Sequence, residues 1–278
     1  MNARPDPAPA TRLPTLFIPH GGGPCFFMDP PPGAPHAWDC MADYLRGVAA
    51  SIGKRPKAIL VISAHWETER PTVNSGHNPP LLFDYRGFPE HTYRLKYPAP
   101  GSPGLASRVR GLLADAGITS DEDADRGYDH GVFVPFLLLY PDADIPVVQL
   151  SLRRDLDVAA HLAIGRALAP LRDEGVLIVG SGMSYHNLRE FWSNDDEDVR
   201  AAEQFDTWLA DAVESVDAPS RDKALTAWAQ APGALAAHPR SEHLLPLMVA
   251  AGAAGADRGR RTYGDRVFGK AISGFQFG

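Results

Sequence analysis

Four short apolar runs, residues 15–18, 58–62, 146–150 and 176–179, stand out along the chain, and each is followed closely by glycine or a polar residue. They do not alternate with polar positions, so they read as strands buried on both faces rather than as half-exposed ones. Helical patterns lie between them. Ser102-Pro103 opens one that Gly117 closes, and Asp155 opens another that ends before Gly175, using residue types suited to helix starts and stops. Further helical segments cover residues 198–213, 221–229 and 241–251, ahead of a glycine-rich tail. Strands alternating with helices predict an α/β fold whose central sheet, mostly parallel or mixed, is covered by helices on both faces. One domain spanning residues 13–278 is expected, after a flexible proline- and alanine-rich segment at residues 1–12.

Residues 78–103 break the pattern. They carry many prolines together with Phe83, Tyr85, Phe88, Tyr93 and Tyr97, too irregular for a helix and too apolar for a solvated linker, which predicts a long ordered loop over a pocket.

Composition narrows the class. With 44% hydrophobic and 22% charged residues the chain matches soluble folded proteins, not disordered or fibrous ones. A net charge of -7 and a pI near 5.8 supply no basic field for nucleic acid or an anionic membrane, and favour a small neutral or cationic substrate. No apolar leader or long apolar span is evident, so a cytoplasmic location is expected. Cys25 and Cys40 lack CxxC spacing and are expected to be buried small residues.

Ten histidines are the main reactive resource. His20 directly follows the first strand, His65 lies just beyond the second, and His186 is seven residues past the end of the fourth. Ligands of open α/β sheets bind outside the carboxyl ends of the strands, so these three can converge there, and converging imidazoles point to iron, zinc, copper or nickel. No HExxH or four-cysteine pattern competes. The His20-Gly21-Gly22-Gly23 loop has the look of an esterase oxyanion loop, but no Gly-x-Ser-x-Gly elbow accompanies it; the nearest stretch, Gly182-Met183-Ser184-Tyr185-His186, lacks the last glycine. Gly180-Ser181-Gly182 lacks the third glycine of a dinucleotide fingerprint and reads as a tight strand-to-helix turn.

Six blocks carry a family resemblance: residues 14–24 (PTLFIPHGGGP), 57–68 (KAILVISAHWET), 88–101 (FPEHTYRLKYPAPG), 128–152 (YDHGVFVPFLLLYPDADIPVVQLSL), 180–189 (GSGMSYHNLR) and 238–252 (HPRSEHLLPLMVAAG). Together, and in this order, they resemble the class III extradiol ring-cleaving dioxygenases of the 4,5-DOPA dioxygenase type. The resemblance implies one catalytic α/β domain with an Fe(II) centre, which zinc can also occupy, at the carboxyl edge of the strands. The substrates would be a catechol and O2, and the product a muconic semialdehyde-type compound. By motif, His20, His65 and His243 would bind the metal, while His130 and His186 would act as acid and base, His186 also approaching the metal. Pro19 departs from the family pattern, in which a small polar residue is common.

The chemistry is consistent with that set. Three protein ligands leave positions free for two catechol oxygens and dioxygen, and histidine can accept a proton and return it near neutral pH. A zinc hydrolase using the same imidazoles and a non-catalytic metal-binding relative are the alternative readings. His243 is expected in the first turn of a helix starting near Ser241, a rigid position. His238 precedes Pro239, which biases it to an extended approach loop within reach of the pocket. Of the others, His161 is expected on a helix face and His36, His77 and His91 in loops, with His91 and Tyr93 at the pocket entrance.

Overall fold

The four apolar runs form the middle of one eight-stranded sheet. The structure, a computed structural model, describes residues 12–193 and 195–278; the flexible segment expected at residues 1–12 falls outside them, apart from Arg12. The strands are β1 (Thr15–Pro19), β2 (Ala58–Thr68), β3 (Thr72–Asn74), β4 (Asp121–Asp123), β5 (Val147–Arg153), β6 (Val176–Gly182), β7 (Gly259–Val267) and β8 (Lys270–Phe277). Their order is β4-β3-β5-β2-β6-β1-β8-β7. The central β5, β2, β6 and β1 run parallel, with β8 antiparallel to β1 and β3 antiparallel to β5 at the flanks.

Helices cover the centre. The α-helices are α1 (Asp39–Ile52), α2 (Pro103–Asp115), α3 (His130–Leu139), α4 (Val158–Leu168), α5 (Asp196–Val213), α6 (Ala218–Thr226), α7 (Ala234–Ala237) and α8 (Leu245–Ala254). Helix α8 packs on β1, β2 and β6 with α4 behind it, and α3 packs on β2 and β6 with α1 against it. Every residue of β1 and β6 is buried, as uninterrupted apolar runs require. Helices α3 and α8 are apolar nearly all round, the mark of a helix inside the core rather than on its surface.

Register sets up the site. Pro19 pairs with Gly182 and Ser63 with Ser181, so β1, β2 and β6 reach the same carboxyl edge together. Strand β2 runs on to Thr68, and its pairing with β5 is interrupted between Ile62 and Glu67. His65 therefore lies inside a long strand, not beyond a short one. The glycine-rich tail, to which the sequence pattern assigned no element, forms the β7–β8 hairpin. Its two-residue turn, Phe268-Gly269, has positive φ at both positions (49° and 79°), as a type I′ turn requires. Among the described residues, no helix is long and apolar enough to cross a membrane.

Candidate metal centre

His20 is the first residue after β1. Its backbone N–H donates to the Gly182 carbonyl at 3.1 Å, and its Nδ1 lies 3.1 Å from the Ser181 hydroxyl oxygen. That hydroxyl donates its own proton to the Gly131 carbonyl, so it accepts from Nδ1–H and leaves the Nε2 lone pair free. The free Nε2 lies 3.0 Å from Nε2 of His65. Two imidazoles bound to one ion at about 2.0–2.1 Å, at right angles, would be separated by roughly this distance.

His130 opens α3. Its backbone N–H and its Nδ1 both donate to Oδ1 of Asp84, at 3.1 and 2.7 Å, which turns Nε2 away from that carboxylate. Its ring centroid is 3.8 Å from that of His65 and 5.5 Å from that of His20.

His243 sits in the turn before α8, not in its first turn: the helix begins at Leu245 with Pro246 in its opening turn, where a missing N–H is harmless. The Met183 N–H donates to the His243 carbonyl at 3.0 Å. A Cβ at Gly182 would lie 2.1 Å from that carbonyl oxygen, and one at Gly180 2.3 Å from the Pro246 oxygen. These glycines belong to β6 and are required by the close passage of the 243–246 backbone, which replaces the expected tight turn. Nδ1 of His243 and Nδ1 of His186 share one oxygen of Glu242, at 2.9 and 3.2 Å, and the two rings stack with centroids 3.3 Å apart. Arg240 lies 3.2 Å from the other Glu242 oxygen and forks onto Glu67.

Two groups have their donor atoms within 4.8 Å of one another: His20, His65 and His130, and His186, Glu242 and His243. They adjoin, since the His243 ring is 5.2 Å from that of His20 and 4.8 Å from that of His65. Burial, reinforced by the neighbouring imidazoles, holds His20, His65 and His243 well below the ordinary histidine pKa. They are neutral at pH 7, the state in which imidazole binds a metal. For Asp84 and Glu242, burial works the other way but is outweighed by the partners, chiefly His130 and His186, so both carboxylates are held below their usual range. The donor set fits a borderline metal ion.

All five rings line a cavity of about 370 Å³, whose other walls include the Gly21–Gly23 loop, Trp38, Tyr85, Phe88, Tyr185 and Phe191. That space suits one substituted aromatic ring. Asp84, Tyr85 and Phe88 come from the 78–103 segment, which is ordered around a 3₁₀ turn (Glu90–Arg94). The sequence reading missed Asp84, Ser181 and Glu242. Adjacency to His243 marks Glu242 in the sequence; nothing comparable marks the other two.

Two expectations are not met, the entrance position of His91 and Tyr93 and the burial of Cys40. His91 donates from Nε2 to the Phe27 carbonyl at 2.9 Å, and neither it nor Tyr93 lines the cavity. Cys25 is buried, but Cys40 is exposed on α1; burial pushes the Cys25 thiol up to about 12, so it is no thiolate ligand. Ser184 is buried and accepts the Ser273 N–H at 2.7 Å, which leaves the esterase reading without a nucleophile. His161 is a structural tie, its ring linking the Asp157 carbonyl and the Arg153 N–H.

Comparison with known proteins agrees with this geometry. The family described as the catalytic LigB subunit of aromatic ring-opening dioxygenase matches residues 14–274. The chain belongs to this family. This extradiol dioxygenase is 49% identical to a 4,5-DOPA dioxygenase extradiol of Beta vulgaris, over 73% of this chain and 75% of that one. It is 38% identical to the Escherichia coli 4,5-DOPA dioxygenase extradiol, over 88% and 86%. A crystal structure of an uncharacterized Escherichia coli K12 protein superposes with a TM-score of 0.76 at 32% identity, over 96% of this chain and all (100%) of that one. LigB dioxygenases are metal-dependent, and the histidine cluster is the potential site in this extradiol dioxygenase.

His238 stands apart. It is fully buried between Phe205 and Trp228, and its Nε2 lies 2.9 Å from the Ser184 carbonyl, so it does not reach the cavity. Burial pushes its pKa down to about 4, against about 6.5 when unfolded. Between those values the unfolded chain binds a proton that the folded one excludes, so stability is lost as pH falls through 6.5, by up to about 1.4 kcal/mol per unit, until about pH 4. Urea midpoints of the metal-free extradiol dioxygenase should therefore fall between pH 7 and 5, and less steeply for His238→Gln.

Proposed function

We propose that this ring-cleaving dioxygenase uses Fe(II) to open a catechol with O2, giving a muconic semialdehyde-type product. His20, His65 and His243 hold the metal in this reading, and His130 and His186 handle protons. The observation that carries it is the 3.0 Å approach of the His20 and His65 Nε2 atoms at the floor of an aromatic-lined cavity. When bound, Fe(II) supplies open coordination positions and the redox couple that zinc lacks. His130 keeps Nε2 free because Asp84 occupies Nδ1, so it can take a catechol proton and return it, and Asp84 stabilises the imidazolium so formed. His186, held through Nδ1 by Glu242, can serve the other oxygen. The apolar walls exclude water and hold the ring in its plane.

The test is oxygen uptake across a catechol panel, with protein reconstituted anaerobically with Fe(II) or with Zn(II), while ultraviolet-visible spectra follow a yellow ring-opened product. Uptake with Fe(II) and none with Zn(II) is expected. Equal turnover by iron-free zinc protein would move the assignment to a hydrolase.

A further inference from the structure

Among the Lys, Arg, Asp and Glu side chains of the described residues, Asp29 alone lines the cavity. It is exposed, whereas His20 and His243 of the same cavity are buried, and it has no hydrogen bond or ion pair among the described residues. Three prolines follow it, Pro30 to Pro32. They restrict its own backbone and the backbone after it, so the carboxylate is presented on a stiff segment. Aromatic faces also line the cavity: Trp38 stacks with Phe191 at 6.4 Å between centroids, and Trp192 is 62% exposed.

We propose that Asp29 selects catechols whose side arm carries an ammonium group over those whose arm carries a carboxylate alone. The inference rests on the catechol reading above, in which the diol faces the histidine floor and the ring substituent points to the mouth. An ammonium there meets one unpaired carboxylate and several π-faces, the combination that binds organic cations. A carboxylate arm meets no Lys or Arg among the described residues of the wall, loses hydration against aromatic carbon, and is repelled by Asp29. The neutral arm falls between them.

Calorimetric binding to Zn(II)-loaded protein, which holds the ligand without turnover, separates the two readings. Three probes sharing the catechol are dopamine, its neutral ethyl analogue and dihydrocaffeate. Dopamine should bind roughly tenfold more tightly than dihydrocaffeate, the size expected of an exposed ion pair added to an exposed cation–π contact. Asp29→Asn should cut that ratio to roughly threefold, the cation–π share that remains, and Asp29→Lys should reverse the order. Equal affinities in the unsubstituted protein, or a ratio unchanged in Asp29→Asn, overturns the proposal. Failure of all three probes to bind overturns it together with the catechol reading. The expected order without oxygen uptake by Fe(II) protein overturns only the ring-cleavage assignment.

Discussion

His243→Ala should abolish stoichiometric metal binding and oxygen uptake together, while His238→Ala keeps its metal. Both histidines lie in one short segment, five residues apart, and their surroundings differ. The His243 backbone is fixed to the end of β6 by the Met183 N–H, and its ring is aimed by Glu242 at the rings of His20 and His65. Loss of an outer hydrogen-bond partner typically weakens metal affinity about 10–100-fold; loss of a ligand itself should exceed that. The His238 ring faces the other way, toward the Ser184 carbonyl. Its removal empties a fully buried site, with a cost of roughly 2–5 kcal/mol in stability, so metal content must be read on protein verified as folded. Iron lost from His238→Ala and retained by His243→Ala would make His20, His65 and His238 the ligand set.

The difference between these two histidines shows where the sequence was legible. Hydrophobic runs identified the four central strands because burial on both faces leaves an unbroken apolar signature, and that alone put His20 and His65 at one sheet edge. The β7–β8 hairpin escaped because its outer strand is polar, with Arg260, Arg261 and Asp265, and its turn uses Phe268 where asparagine or glycine is the usual signal. Helix α3 escaped because a helix buried all round has no amphipathic period. The partners Asp84 and Ser181 escaped for a different reason. Each acts through a single atom on a residue distant in sequence, 46 positions away for Asp84 and His130 and 161 for His20 and Ser181, and no local pattern encodes such a contact.

That hidden contact sets the second large effect. His130→Ala should keep its metal and lose roughly 10²–10⁴-fold in turnover, the range for a positioned acid or base. Asp84 takes both the backbone N–H and Nδ1–H of His130, which orients the ring and leaves Nε2 as the atom to exchange a proton with substrate. Asp84→Asn removes the charge that favours the imidazolium but leaves the ring in place, so its loss should be smaller and should fall on kcat more than on KM. His186→Ala is the informative comparison. Its ring stacks on His243 and shares Glu242 with it, so a proton-handling role predicts retained iron with slow turnover, whereas a fourth-ligand role predicts iron loss. Metal analysis beside single-turnover rates for His130→Ala and His186→Ala decides this, and loss of iron from His130→Ala would exclude the acid-base role assigned to it.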